Sequence, residues 1–142
     1  TQTIVSKSNT TLDSYSLILN SSGHLTLSVY NGGSATTVVY ATNIADDGWH
    51  HVAGLYRPST AMKLYVDGYY RAANTTSIPA SIDDDAVNVM IGALGDLSAP
   101  CNGYIDDVRI YNRNLTDAGP SLGQKAGLEV IQNYNKTKGS YD

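Results

Sequence analysis

The chain has no phenylalanine, one tryptophan, one cysteine and one glutamate among its 142 residues. Each scarcity excludes something. A lone Cys101 cannot close an internal disulfide, so no disulfide framework shapes the fold. With Glu129 as the only glutamate and nine Lys plus Arg, the stock of Ala, Glu, Lys and Leu that builds a helical bundle is missing. A net charge of -4 without a basic run argues against a phosphate-backbone partner, so nucleic acid is not expected. No stretch approaches the roughly 18 apolar residues of a membrane span, and no membrane insertion is expected.

What is present suits strands and turns. Thr, Ser, Asn and Gly are abundant, and there are 11 Tyr. Leu25, Leu27 and Val29 alternate with Thr26 and Ser28 in the two-residue period of a half-buried strand. Tyr15, Leu17 and Leu19 do the same upstream, and Asn20 to Gly23 joins the two as a hairpin. Further strands are expected over Thr36–Ala41, Trp49–Arg57 and Met62–Val66, and from Tyr69 to Ala73. Asp67–Gly68 supplies the type I′ turn between the last two, because both residues tolerate positive φ. Val87, Val89 and Ile91 form another alternating run, and Gly103–Tyr111 reads as the last strand. Strands this short and frequent predict an all-β chain: one antiparallel two-sheet jelly-roll sandwich. In the tail, Asp117–Gly127 reads as a loop. Leu128, Ile131 and Tyr134 recur at helical spacing, predicting a short C-terminal helix docked on the sandwich.

The most specific signal is a series in fixed order. Asp47-Gly48-Trp49-His50-His51-Val52-Ala53 comes first, then Leu64-Tyr65-Val66-Asp67-Gly68, then Ile91-Gly92. Gly103-Tyr104-Ile105-Asp106-Asp107-Val108-Arg109-Ile110-Tyr111-Asn112-Arg113-Asn114-Leu115 closes it. This series resembles the laminin-G-like domains of the concanavalin-A-like lectin and glucanase superfamily. Thr3 to Lys7 and Asp13 to Leu19 look like that family's early strands. The resemblance divides the chain into a sandwich over residues 1–116 and a loop, helix and tail over 117–142. Domains of this family usually open with a further strand before the one holding Ile4-Val5-Ser6-Lys7, and here none is seen. The edge left open is expected to be covered by an upstream segment or a neighbouring chain. The tail from Leu128 to Tyr141 resembles the endings of laminin-G-like domains at the C-termini of phage virion proteins.

The resemblance implies a non-catalytic binding or adhesion module. Its partner would be a carbohydrate or cell-surface glycan, within a larger assembly of protein subunits at an extracellular or virion surface. Five Asn-x-Ser/Thr sequons, at Asn9, Asn20, Asn74, Asn114 and Asn135, lean towards the same setting. The alternative is a structural virion protein whose sandwich packs against other subunits without binding sugar. Hydrolysis by the mechanism of this superfamily's glycosidases is not expected. Retaining glycosidases of this superfamily place two Glu on one strand face about 5 Å apart, and this chain has only Glu129.

Individual residues carry narrower expectations. A lone Trp49 could stack on a sugar ring, but the favoured reading is a core plug, since large aromatics anchor small sandwiches. His50 and His51 point to opposite faces of a regular strand, so they do not ligate one zinc. One of Asp106 and Asp107 is expected to turn inward. No cofactor is required, but resemblance to the calcium loops of pentraxins makes Asp13 and Asp96 candidate ligands for Ca²⁺. The Asp83-Asp84-Asp85 run is a rival metal site or a solvated acidic turn. Tyr69, Tyr70, Asn102 and Asn112 are the candidate glycan contacts, because Tyr offers an apolar face with a hydroxyl and Asn pairs with sugar hydroxyls.

Overall fold

The alternating apolar residues sort themselves into two facing layers. The computed structural model describes residues 1–9 and 11–115. Its strands are β1 (Gln2–Ser8), β2 (Asp13–Leu19), β3 (His24–Asn31), β4 (Ser34–Asn43), β5 (Val52–Arg57), β6 (Ala61–Val66), β7 (Tyr69–Asn74) and β8 (Met90–Ile91). One sheet has the order β4-β3-β2-β1-β8 and the other β5-β6-β7, with every pairing antiparallel. The expected two-sheet antiparallel sandwich is therefore observed. The C-terminal helix expected around Leu128–Tyr134 lies outside the described residues.

Register explains the core. Leu17 pairs with Leu27 and Leu27 with Val38, so one row of apolar side chains crosses three strands on the inner face. Leu25 and Val29 flank that row, and Met62, Leu64 and Val66 of β6 meet it from the other sheet. Gly54 of β5 lies opposite Leu64, and a Cβ there would come within 3.2 and 3.3 Å of the Leu27 methyls. A glycine at this strand position lets the two sheets approach. β6 is buried on both faces, because Tyr65 and Leu55 form a second cluster on the outer side with Ala53, Tyr70 and Leu115.

The polar side of the larger sheet is not open to water. Ser6, Ser16, Ser28 and Thr37 fall in one row across β1 to β4, and the three serines are buried. The Ser6 and Ser28 hydroxyls have partners, as buried polar groups require. Ser28 and Thr37 hydroxyls lie 3.2 Å apart, and Ser6 donates to the Ala93 carbonyl at 3.1 Å.

Three strand expectations change. Of Val87–Ile91, only Met90 and Ile91 pair, and they take up the edge of β1 at Val5 and Ser6. The strand beginning at Trp49 starts instead at Val52. Gly103–Tyr111 is not a strand: Asp107 has a φ of 50°, in the left-handed region, where an extended run cannot continue. Its carboxylate instead grips Arg109 through Nε at 2.9 Å and Nη2 at 2.7 Å. Nor is Asp106 turned inward. It is exposed and accepts the Asp107 amide at 2.7 Å.

Turn chemistry fixes the hairpins. Asp67 and Gly68 have φ of 53° and 75°, the two positive values of a type I′ turn. At the β3–β4 turn, Asp83 reaches in from a distant loop. Its carboxylate accepts the Gly32 amide at 3.0 Å and the Gly33 amide at 3.2 Å, while its own amide donates to the Tyr30 carbonyl at 2.8 Å. Asp84 pairs with Lys7, and the Asp85 amide donates to the Ser14 hydroxyl. The acidic run thus ties a loop to the sheet. Asp83→Ala is expected to cost about 1–3 kcal/mol, the range for hydrogen bonds to a charged group. Urea unfolding checks this: a lower midpoint with unchanged slope is expected, and an unmoved midpoint would make the carboxylate a bystander.

Candidate functional site

The sandwich has two rims, and they differ in chemistry. One gathers the Asn20–Gly23 turn, the 44–51 connection, the Asp67–Gly68 turn and the loop around Asn102. The links are direct. Ile44 donates to the Gly23 carbonyl at 3.0 Å, Asp67 to the His51 carbonyl at 2.8 Å, and Asn102 to the Gln2 side chain at 2.9 Å.

On this rim Trp49 is 55% exposed and Tyr104 is 89% exposed. Their ring centroids are 6.5 Å apart with planes tilted by 34°. The expectation that Trp49 plugs the core is corrected. Because β5 begins only at Val52, Trp49 sits in the connecting loop, where no strand register turns it inward.

The loop that displays Trp49 is pinned on both sides. Gly48 donates to the Asp46 carboxylate at 2.7 Å. His50 places Nδ1 2.8 Å from Asp67 Oδ2 and Nε2 3.2 Å from Asp46 Oδ1. The His51 amide donates to Asp67 Oδ1 at 3.0 Å. Asp67 therefore serves the β6–β7 turn and clamps the residues that follow Trp49. The Asp46 carboxyl is held below its ordinary range, first by the Gly48 amide and then by the hydrogen bond with His50.

The two adjacent imidazoles are driven in opposite directions. Burial pushes His50 down, but hydrogen bonds and charge from Asp67, then Asp46, outweigh it and raise its pKa above 6.5. Burial lowers His51 below 6.5; the nearby charge of Asp67 opposes this, while Arg109 reinforces it. The signs follow by linkage. The contribution of His50 is fully present below pH 6.5 and is lost as pH rises through its higher folded-state value. That of His51 is present above pH 6.5 and is lost as pH falls towards its lower one. Imidazole NMR titration should give one midpoint for this pair on each side of 6.5, with Asp46→Asn bringing down His50, the one of the two that bonds it. Coincident midpoints would contradict the pairing.

The candidate residues read from sequence divide between places. Tyr69 lies on the edge towards β4, where the Arg71 guanidinium sits 5.1 Å from its ring centroid and 5.7 Å from that of Tyr40. Arg71 Nε is buried without a hydrogen-bond partner. Tyr70 points to the other face of the sheet, 5.6 Å from Tyr65, with Lys63 Nζ 5.7 Å from its ring. Tyr69 and Tyr70 thus cannot form one contact surface, since neighbours in a strand alternate. Asn102 is on the rim of Trp49, while Asn112 is exposed further along the segment leading to Leu115.

Asp13 and Asp96 lie at the opposite rim. The Ser8 hydroxyl donates to Asp13, and the Ser8 carbonyl accepts the Gly95 amide at 2.7 Å. Asp96 turns back on its own loop, accepting from Ser98 N at 3.0 Å and Oγ at 2.6 Å. Among the described residues no three His, Cys, Asp or Glu side chains gather closely enough to hold a metal ion. The calcium ligands suggested by resemblance are therefore near one strand end but do not form such a cluster. Sequence reasoning missed Tyr104 and its pairing with Trp49, and set the sugar-stacking role of Trp49 second to a place in the core. Neither the curated proteins nor the solved structures compared with the chain give a match. A laminin-G-type family model matches residues 1–119, and with the two antiparallel sheets this places the chain in the concanavalin A-like lectin/glucanases superfamily.

Proposed function

We propose that the domain is a non-catalytic carbohydrate-binding module that reads glycans through the Trp49–Tyr104 rim. The observation carrying this reading is the pair of neighbouring exposed rings, with Trp49 displayed by a clamped loop. Flat aromatic faces cover the apolar face of a sugar ring with little loss of side-chain entropy. Asp46 and Asn102 border the same rim and offer acceptors and donors to sugar hydroxyls. Membership of a lectin-containing superfamily supports a binding role. The residue inventory supports the absence of the two-glutamate hydrolytic mechanism, since Glu129 is the sole glutamate. An extracellular or particle-surface setting fits both the family and the sequons.

A second reading, packing against other subunits of a virus particle, is favoured by a different observation. Val89, Ile91, Val108, Ile110 and Tyr111 are exposed apolar side chains along the segments beside the sheets. A glycan array run with calcium and with chelator separates the two. Binding that vanishes in Trp49→Ala supports the first reading. No binding in either condition, with self-association in light scattering, supports the second. Calcium at Asp13 and Asp96, on the opposite rim, is a separate proposal: a calcium-dependent rise in melting temperature that Asp13→Asn abolishes would support it, and an unchanged melt would remove it.

A further inference from the structure

β4 is one edge of the larger sheet and β7 one edge of the smaller, and these two edges lie against each other. The Asn74 side-chain amide ties them, donating to the Thr37 carbonyl at 3.0 Å. Both ladders slip here. In β7, Leu64 pairs with Ala72 but Tyr65 with Tyr70, which leaves Arg71 as the extra residue of a β-bulge. In β4, Leu25 pairs with Tyr40 but His24 with Asn43, so the register breaks just after Tyr40. Bulges re-aim side chains, and this one carries Arg71 into the junction. Its guanidinium carbon lies 5.1 Å from the Tyr69 ring centroid and 5.7 Å from that of Tyr40.

The rings hold the guanidinium without using its donors. Nε is buried and unpartnered, and the Nη atoms, which reach the surface, bond no described residue either. No described Asp or Glu pairs with Arg71, although the chain has 13 acidic residues against nine Lys plus Arg. The Tyr40 and Tyr69 hydroxyls likewise bond no described residue. Attraction to the ring faces answers the charge of a half-buried arginine but leaves its N–H groups unmet. A ligand bringing a planar pair of acceptors completes the arrangement.

We infer that this junction is a second binding site, which takes the carboxylate of an acidic sugar such as a uronate or a sialic acid. Guanidinium and carboxylate are both planar forks, so the outward Nη pair meets both carboxylate oxygens. The two tyrosine hydroxyls serve sugar hydroxyls, and the Tyr69 ring, 36% exposed, covers an apolar patch of the sugar. Trp49 and Tyr104 take no part, so the site stands or falls without them.

The test is a ¹H–¹⁵N NMR titration of the full chain that follows the Arg71 Nε–H and the Tyr69 and Arg71 amides. Methyl β-glucuronide, N-acetylneuraminate, methyl β-glucoside and acetate are titrated separately. Saturable shifts are expected with at least one sugar acid, and at least tenfold weaker binding with the glucoside and with acetate. Arg71→Lys keeps the charge, loses the fork and should weaken binding at least tenfold. Tyr69→Phe keeps the ring over the guanidinium and should weaken it about fivefold, the worth of one hydrogen bond. Trp49→Ala should leave binding intact, and added salt should weaken it. The assignment is overturned if neither acid moves these signals or if the glucoside or acetate binds as tightly. It is overturned equally if Arg71→Lys and Tyr69→Phe both bind like the parent.

Discussion

Leu64→Ala lowers stability by about 3 kcal/mol, within the roughly 2–5 kcal/mol observed for truncating a buried leucine. Leu64 is fully buried in the middle strand of the smaller sheet and packs between the sheets with Leu25, Leu27 and Met62. Its cross-strand partner is Gly54, which brings no side chain, so the Leu27 methyls occupy that space instead. A hole at Leu64 therefore borders side chains already committed elsewhere, and collapse around it is limited. For a chain of this size the melting temperature should fall by roughly 10 °C. A similar truncation at Val39, which is 41% exposed, should change stability by about 0.5 kcal/mol or less. Circular-dichroism melts of both variants decide the matter. Equal effects would contradict the placement of Leu64 between the layers.

Trp49→Ala is expected to do the reverse: unchanged stability and a loss of glycan affinity by more than tenfold. Truncating a central aromatic of a binding surface commonly costs about 2 kcal/mol or more, and each 1.4 kcal/mol is tenfold. Were the ring in the core, the same change would cost about 3–5 kcal/mol of stability. The half-exposed ring beside Tyr104 predicts a melt within error of the parent and an array signal that disappears. Tyr104→Ala should weaken binding by a smaller factor, since the tyrosine face is the smaller of the two. A destabilised but fully binding Trp49→Ala variant would reverse the assignment of this residue.

Much of the fold is legible in local chemistry. Leu25, Leu27 and Val29 can bury one face only as a strand, and Asp67–Gly68 can close only a tight hairpin. Other features depend on information outside the local pattern. Tyr104 to Tyr111 alternates as well as any strand, yet the left-handed Asp107 and its grip on Arg109 break the run. Thr26 and Ser28 look solvent-facing by type, yet each is only 7% exposed.

The candidate site was less legible for a similar reason. Trp49 stands one position before two histidines in a stretch that reads as strand, and strand register would bury it. What releases it is the clamp by Asp67 on His50 and His51, a contact across the turn that no alternation encodes. Its partner Tyr104 is 55 positions away in the sequence, so their meeting is a property of the rim. Tyr69 and Tyr70 attracted attention by adjacency, which in a strand is the arrangement that separates two side chains.

Because the chain has one tryptophan, its fluorescence reports on the proposed platform alone. Titrating the protein with a glycan selected on the array, with acrylamide quenching measured at each end point, tests the central claim most directly. A readily quenched free state is predicted, with a saturable blue shift and protection from acrylamide on binding. Emission that is shielded before ligand is added, or unmoved at saturation, would contradict it.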